Sequence, residues 1–192
     1  MVWDINRKTA FTIMGLLAVL LTSCLPSFRF NSASAPTYAT QIVIPLFPNE
    51  SDGGPSDLSI LFTEQVRDFY QNNTKLEVLT DESNASDSAL IVKGVITNYD
   101  VSTIAPSSDG IVESSIENKI SLNVKVSYIN PFDCDPEIDS TCVPVSFKNG
   151  KSFSGFSTYD ANLALEDVEL DQINDIADQI IIKIFSATFD TF

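Results

Sequence analysis

Histidine is absent from this 192-residue chain. That absence excludes catalytic triads, cysteine–histidine pairs, histidine general bases and zinc sites built on imidazole, and with them most familiar hydrolase mechanisms. The 26 acidic residues show no spacing typical of a catalytic carboxylate pair, and the sequence has no glycine-rich phosphate loop. The sequence therefore predicts a protein that is not an enzyme.

Basic residues are scarce as well. Eleven Lys and Arg stand against 26 Asp and Glu, which gives a net charge of −15 at neutral pH. Because such a charge repels a polyanion, we expect no nucleic-acid partner. Glycine and proline are few, at 7 and 9 residues, and 44% of the residues are hydrophobic, so the chain should form a globular domain.

The apolar run near the N-terminus, residues 10–21, is interrupted by Thr12 alone. With about a dozen residues it is shorter than the 17 to 25 that span a bilayer as a helix. It follows Arg7 and Lys8 and precedes small residues, which is the order of a secretory signal peptide. We assign residues 1–23 to that signal.

Residues 21–24, Leu-Thr-Ser-Cys, resemble the lipobox of bacterial lipoproteins. The resemblance implies that Cys24 receives a diacylglycerol and an acyl chain, becomes the first residue after cleavage and anchors the protein to a membrane. The alternative is an unmodified thiol beside an ordinary cleavage site. Residues 24–40, rich in Ser, Ala, Pro and Asn, are predicted to form a tether, and residues 41–192 a single domain.

Two further cysteines, Cys134 and Cys142, lie in a polar, proline-broken stretch that is typical of a hairpin loop. Because an exported chain meets an oxidising compartment, we predict a disulfide between them. A second hypothesis is a calcium loop, since acids alternate in the same stretch: Asp133, Asp135, Glu137 and Asp139. Ile138 and Pro144 stand where such a loop needs glycine and glutamate, so we predict no metal site.

Hydrophobic periodicity predicts seven elements in the order strand, helix, four strands, helix. Spacings of three and four predict a helix capped by Ser56 and another from Val168 through Leu170 to Ile184. Strands are predicted at residues 41–47, 76–79, 90–101, 120–128 and 145–156. This order implies an α+β two-layer sandwich, with a mostly antiparallel sheet of four to five strands and two amphipathic helices on one face.

The last predicted strand contains two irregularities. Asn149 and Gly150 interrupt it, and Phe153 and Phe156 are three residues apart across Gly155. The second spacing suggests a β-bulge at Gly155.

Four segments follow the lipobox in the chain, at residues 44–49, 61–68, 92–101 and 159–160. Together with the lipobox they resemble the LptE-like lipoproteins of lipopolysaccharide assembly. The Cys134 to Cys142 segment is not part of that pattern. The resemblance implies a non-enzymatic lipoprotein on the periplasmic side of the outer membrane, which plugs an LptD-type β-barrel, helps it fold and contacts lipopolysaccharide.

Lysines on a solvated sheet face are the candidate lipopolysaccharide contacts: Lys93, Lys119 and Lys125. A few such lysines could bind phosphate locally in an otherwise acidic chain. The alternative is a solvated strand face whose charges discourage aggregation at the sheet edge. A different function also remains open, that of a stand-alone periplasmic or surface lipoprotein with a small apolar ligand between sheet and helices.

Overall fold

The computed structural model describes residues 38–104, 116–133 and 145–189. Within these ranges five strands form one sheet: β1 Gln41–Val43, β2 Glu77–Leu79, β3 Leu90–Ile104, β4 Glu117–Ile129 and β5 Phe147–Asp160. The helices are α1, Leu58–Asn73, and α2, Leu165–Phe189. The element order is the predicted one. The signal peptide, Cys24, Cys134 and Cys142 lie outside the described residues.

The sheet is mixed but mostly antiparallel, with the strand order β2-β1-β3-β4-β5. β1 pairs in parallel with both β2 and β3, whereas β3, β4 and β5 are antiparallel neighbours. A parallel pair needs a crossover, and α1 supplies it between β1 and β2. The predicted α+β fold class is confirmed.

The alternation predicted for β4 is present in the structure. Its apolar residues are at most 1% exposed and form the centre of the core: Ile120, Leu122, Val124, Val126 and Tyr128. The stripe on α2 is buried from Ile173 to Ile184. Leu170 is 54% exposed, so its placement in the stripe was wrong: Val168 packs against the core, and a residue two positions further along lies on the opposite side of the helix. α1 begins at Leu58, and Asp57 takes the N-cap position predicted for Ser56 without a side-chain capping hydrogen bond.

Both helices cover the same face of the sheet. Tyr70 of α1 packs edge-on against Phe185 and Phe189 of α2, with ring centroids 5.3 and 5.7 Å apart, and Phe189 also contacts Tyr128 of β4. The Tyr70 hydroxyl lies 2.9 Å from the Thr188 hydroxyl. Burying a large apolar side chain stabilises a fold by about 1.5–3 kcal/mol, so these rings hold the two layers together.

The irregularity in β5 lies at Asn149–Gly150, and the bulge predicted at Gly155 was wrong. Gly155 pairs with Leu122 in unbroken register. Phe153 is 6% exposed and Phe156 54%, because an odd spacing in a regular strand places two residues on opposite faces. The register shifts instead between Val126, paired with Lys151, and Tyr128, paired with Phe147.

The described helices include none that is long and apolar enough to cross a membrane.

Candidate functional site

The sheet face opposite the helices is polar. On β4 it carries the residues that alternate with the core: Lys119, Ser121, Asn123, Lys125 and Ser127. On β5 the same face carries Ser152, Ser154 and Thr158, which pair with Lys125, Asn123 and Lys119. Two of the three lysines singled out in the sequence thus lie on β4 of this face, and the third lies on β3.

An open groove of about 350 Å³ lies on this face. We call it the lysine groove. Three strands contribute to it, with three lysines among its lining residues: Lys93, Gly94, Val95, Lys125, Ser127, Lys148, Asn149 and Gly150. In a chain with a net charge of −15, this grouping of cations on one sheet face suits an anionic partner.

Strand register brings the first two lysines together. Lys93 pairs across the sheet with Ser127, and Lys125 pairs with Val95, so the two side chains come from neighbouring strands of one face. The Lys93 Nζ lies 2.5 Å from Glu82 Oε1, with both side chains nearly half exposed. Such a solvated ion pair contributes roughly 0–1 kcal/mol, so Glu82 can give way to a competing anion.

The Asn149–Gly150 irregularity positions Lys125 and Lys148. Gly150 has a φ of 82°, a left-handed conformation that favours glycine. A Cβ at Gly150 would lie 2.6 Å from Lys125 Cε, which means that the lysine stem rests directly on the β5 backbone. Neither Lys125 nor Lys148 forms a salt bridge with any residue in the described ranges. Within those ranges neither ammonium group has a charged partner that a ligand would have to displace.

Lys119 lies away from the groove. Its Nζ is 4.5 Å from the centre of the exposed Phe156 ring, a cation–π contact. Lys125 lies six positions further along β4, about 20 Å away. Lys93, Lys125 and Lys148 thus line one groove, and Lys119 lies outside it. The sequence analysis did not identify Lys148 as a site residue, although it noted that Asn149 and Gly150, which follow Lys148, interrupt the last strand.

Asp133 follows β4 and is hydrogen-bonded to the residues that precede β5. Its carboxylate oxygens accept hydrogen bonds from the backbone N–H groups of Val145 and Ser146, at 2.9 and 2.6 Å. The other acids of the calcium hypothesis, Asp135, Glu137 and Asp139, lie outside the described residues. Where the structure describes the chain, no group of three or more acids or cysteines is placed to hold a metal ion.

The space between sheet and helices is occupied by side chains. The largest of these side chains have no exposed surface: Phe47, Phe62, Tyr70, Tyr128 and Phe189. A small apolar ligand would have to displace these rings.

The family model described as "LptE: Lipopolysaccharide-assembly" matches residues 39–188. No curated protein gives a significant match. Among solved structures, the chain is similar to the hypothetical protein CT253 from Chlamydia trachomatis, with a TM-score of 0.47 and 12% identity over 78% of this chain and 98% of that one. It is also similar to the rare lipoprotein B from Shewanella oneidensis, with a TM-score of 0.39 and 15% identity over 78% and 98% of the two chains.

Proposed function

Since the chain belongs to the LptE family of lipopolysaccharide-assembly lipoproteins, we propose that it is the subunit that plugs an LptD-type outer-membrane β-barrel, helps that barrel to fold and contacts lipopolysaccharide. The family is envelope-associated and non-enzymatic. The histidine-free composition agrees with a function performed by surfaces, with no catalytic turnover.

The lysine groove is the observation that carries the lipopolysaccharide contact. Lys93, Lys125 and Lys148 converge there from three strands. Lysine ammonium groups bind phosphate as point charges, and the phosphates of lipopolysaccharide are the anionic groups that such a site would take. The groove is open to solvent, so a large glycolipid could reach it without any movement of the core.

Charge reversal in the groove tests this assignment. The variant Lys125→Glu with Lys148→Glu should bind immobilised lipopolysaccharide at least about tenfold more weakly, a loss of about 1.4 kcal/mol. Lys119→Glu with Lys151→Glu is the matched control, because it changes the charge equally at two lysines outside the groove. Thermal unfolding of both variants shows that the fold is retained.

An equal loss of affinity in both variants would mean that binding depends on overall charge alone. Unchanged affinity in the groove variant would remove the lysine groove from the contact and leave its lysines as an ordinary solvated strand face.

The barrel partner is tested in the native envelope. Affinity purification of the chain should bring an LptD-type barrel with it, and depletion of the chain should lower both the folded barrel and the surface lipopolysaccharide. A plug is covered on several sides, so the shared interface should exceed the standard size of roughly 1,600 Å². Normal levels of barrel and lipopolysaccharide after depletion, with no barrel purified, would favour a stand-alone lipoprotein.

We also propose the lipid anchor on Cys24, which would hold the protein at the periplasmic side of the outer membrane. The lipobox supports it. Cys24→Ser should leave an unprocessed precursor that lacks the lipid mass on its N-terminal peptide. A processed Cys24→Ser protein would show that an ordinary signal peptidase site is used.

The disulfide between Cys134 and Cys142 remains a proposal as well. The hydrogen bonds from Val145 and Ser146 to Asp133 bring the two ends of the connecting segment together at its base, which supports a closed loop. Alkylation of the unreduced protein should label neither thiol. Labelling of both would reject the pairing.

A further inference from the structure

The N-terminal segment enters the domain beside the end of β4. The Tyr38 ring packs against Phe132, with 4.7 Å between the ring centroids. The buried Asn130 side chain donates a hydrogen bond to the Tyr38 hydroxyl at 2.6 Å and accepts one from the Phe132 backbone at 3.0 Å. One buried amide therefore fixes both aromatic residues in place.

This aromatic pair is exposed even though it is held in place. Tyr38 is 41% exposed and Phe132 is 56% exposed. Aromatic rings that combine an apolar body with a polar edge are enriched at the boundary between a bilayer and water. Tyr38 is a ring of this kind, and the exposed ring of Phe132 adds apolar surface beside it.

The length of chain between Cys24 and Tyr38 limits how far the aromatic pair can lie from a lipid on Cys24. Cys24 precedes Tyr38 by 14 residues. A flexible segment of that length has a mean span of about 20 Å and a maximum of about 50 Å. The opposite end of the sheet lies another 40 Å or so away, along β4 from Ile129 to Glu117. Among the described residues Tyr38 is the nearest in the chain to Cys24, so a lipid on Cys24 would favour contact of the aromatic pair with the bilayer over contact of the opposite end of the domain.

We propose that Tyr38 and Phe132 form a membrane-contact site that enters the headgroup region of the bilayer holding Cys24. This inference rests on the lipid anchor proposed above. Because the chain carries a net charge of −15, we expect the site to prefer zwitterionic over anionic lipid. The contact orients the domain with the Ile129 end of β4 toward the membrane.

The sequence offers a clean fluorescent probe of this contact. Its single tryptophan is Trp3, which the proposed processing removes. Phe132→Trp therefore introduces one probe at the proposed contact. Leu163→Trp is the matched control, because Leu163 is 50% exposed and follows β5 at the opposite end of the sheet. Tyr38→Trp is a second contact variant that keeps an aromatic ring.

The experiment uses the full lipidated protein in phosphatidylcholine vesicles that contain brominated phosphatidylcholine. Both contact probes should shift to the blue and lose most of their emission, whereas Leu163→Trp should remain bright. Replacing part of the lipid with phosphatidylglycerol should reduce the quenching of the contact probes.

Flotation of the vesicles reports the anchor separately from the contact. Protein that floats with bright contact probes overturns the membrane-contact site and leaves the anchor standing. Equal quenching of Leu163→Trp overturns the orientation. A blue shift that requires added barrel, without quenching by lipid, assigns the pair to a protein rim and overturns the proposal. Protein that fails to float overturns the anchor and the contact with it.

Discussion

Gly94 on β3 lies directly beneath the ring of Phe47, and Gly94→Ala should destabilise the fold. A Cβ at this position would lie 2.1 Å from Phe47 Cε1 and 2.5 Å from Cδ1. An ordinary carbon–carbon contact is about 3.5–4.0 Å, so the ring would have to retreat by more than 1 Å. Phe47 has no exposed surface, and Phe62 packs against it with ring centroids 5.6 Å apart.

Two opposing contributions determine how much Gly94→Ala changes the free energy of unfolding. Replacing a strand glycine by alanine ordinarily stabilises by roughly 0.5–1 kcal/mol, because the unfolded chain loses conformational freedom. Overpacking a filled core costs about 1–3 kcal/mol. The cost of overpacking should exceed the gain from the unfolded chain, and the free energy of unfolding should fall by about 1–2 kcal/mol.

The assay is urea unfolding followed by circular dichroism on four proteins: wild type, Gly94→Ala, Phe47→Leu and the double variant. Leucine at position 47 leaves room for the added methyl group, so Gly94→Ala should cost almost nothing in that background. The coupling between the two sites should reach at least about 1 kcal/mol, as for other residues in contact. Additive effects, or a stabilising Gly94→Ala in the wild-type background, would refute this account of the packing.

Three further outcomes are expected from other parts of the domain. Gln179 and Lys183 of α2 donate hydrogen bonds to the Phe156 and Ser154 carbonyls at the outer edge of β5. The variant Gln179→Ala with Lys183→Ala should change the free energy of unfolding by no more than about 1 kcal/mol. It should also increase self-association, measured by light scattering, because the strand edge loses these donors. Gly150→Ala should destabilise by about 1 kcal/mol or more in urea, because its left-handed φ strains any side chain there, and lipopolysaccharide affinity should fall with the displaced Lys125. Burial raises the pKa of three tyrosines in the folded state, Tyr70, Tyr99 and Tyr128, so the stability that their neutral forms contribute is present below about pH 10 and lost as the pH rises above it. In a Tyr38→Phe and Tyr159→Phe background, where these three are the remaining tyrosines of the sequence, tyrosinate absorbance should appear together with unfolding, and its appearance in a folded chain would contradict their burial.

Most of the fold could be predicted from the sequence because each long element has one buried face. The alternation of β4 and the stripe of α2 follow directly from that burial. The family resemblance read from short segments was confirmed by the match over residues 39–188. The parallel pairing of β1 was not predicted, because a strand of three residues takes its partners from the crossover and not from its own pattern.

The candidate site was harder to predict than the fold. Lys93, Lys125 and Lys148 meet through the register of three strands, and periodicity within one strand carries no information about register. Lys119 and Lys125 alternate with the core in the same way, but their spacing along β4 places them about 20 Å apart, so a shared face does not bring them together. The Phe153–Phe156 spacing was misleading because a single exposed aromatic, held by Lys119, resembles an irregularity when only the sequence is considered.

The hydrogen bond between Tyr70 and Thr188 joins side chains that are 118 residues apart in the chain. If the chain is exported by the proposed signal peptide, it crosses the membrane with its N-terminus first, and the sheet emerges while α2 is still inside the channel. During that interval the apolar side of β4 has no cover, and chain closure over so long a separation is slow. On that proposed route the domain can complete its core only after translocation is nearly finished, and a chaperone at the exit of the channel would have a defined interval in which to bind the open sheet.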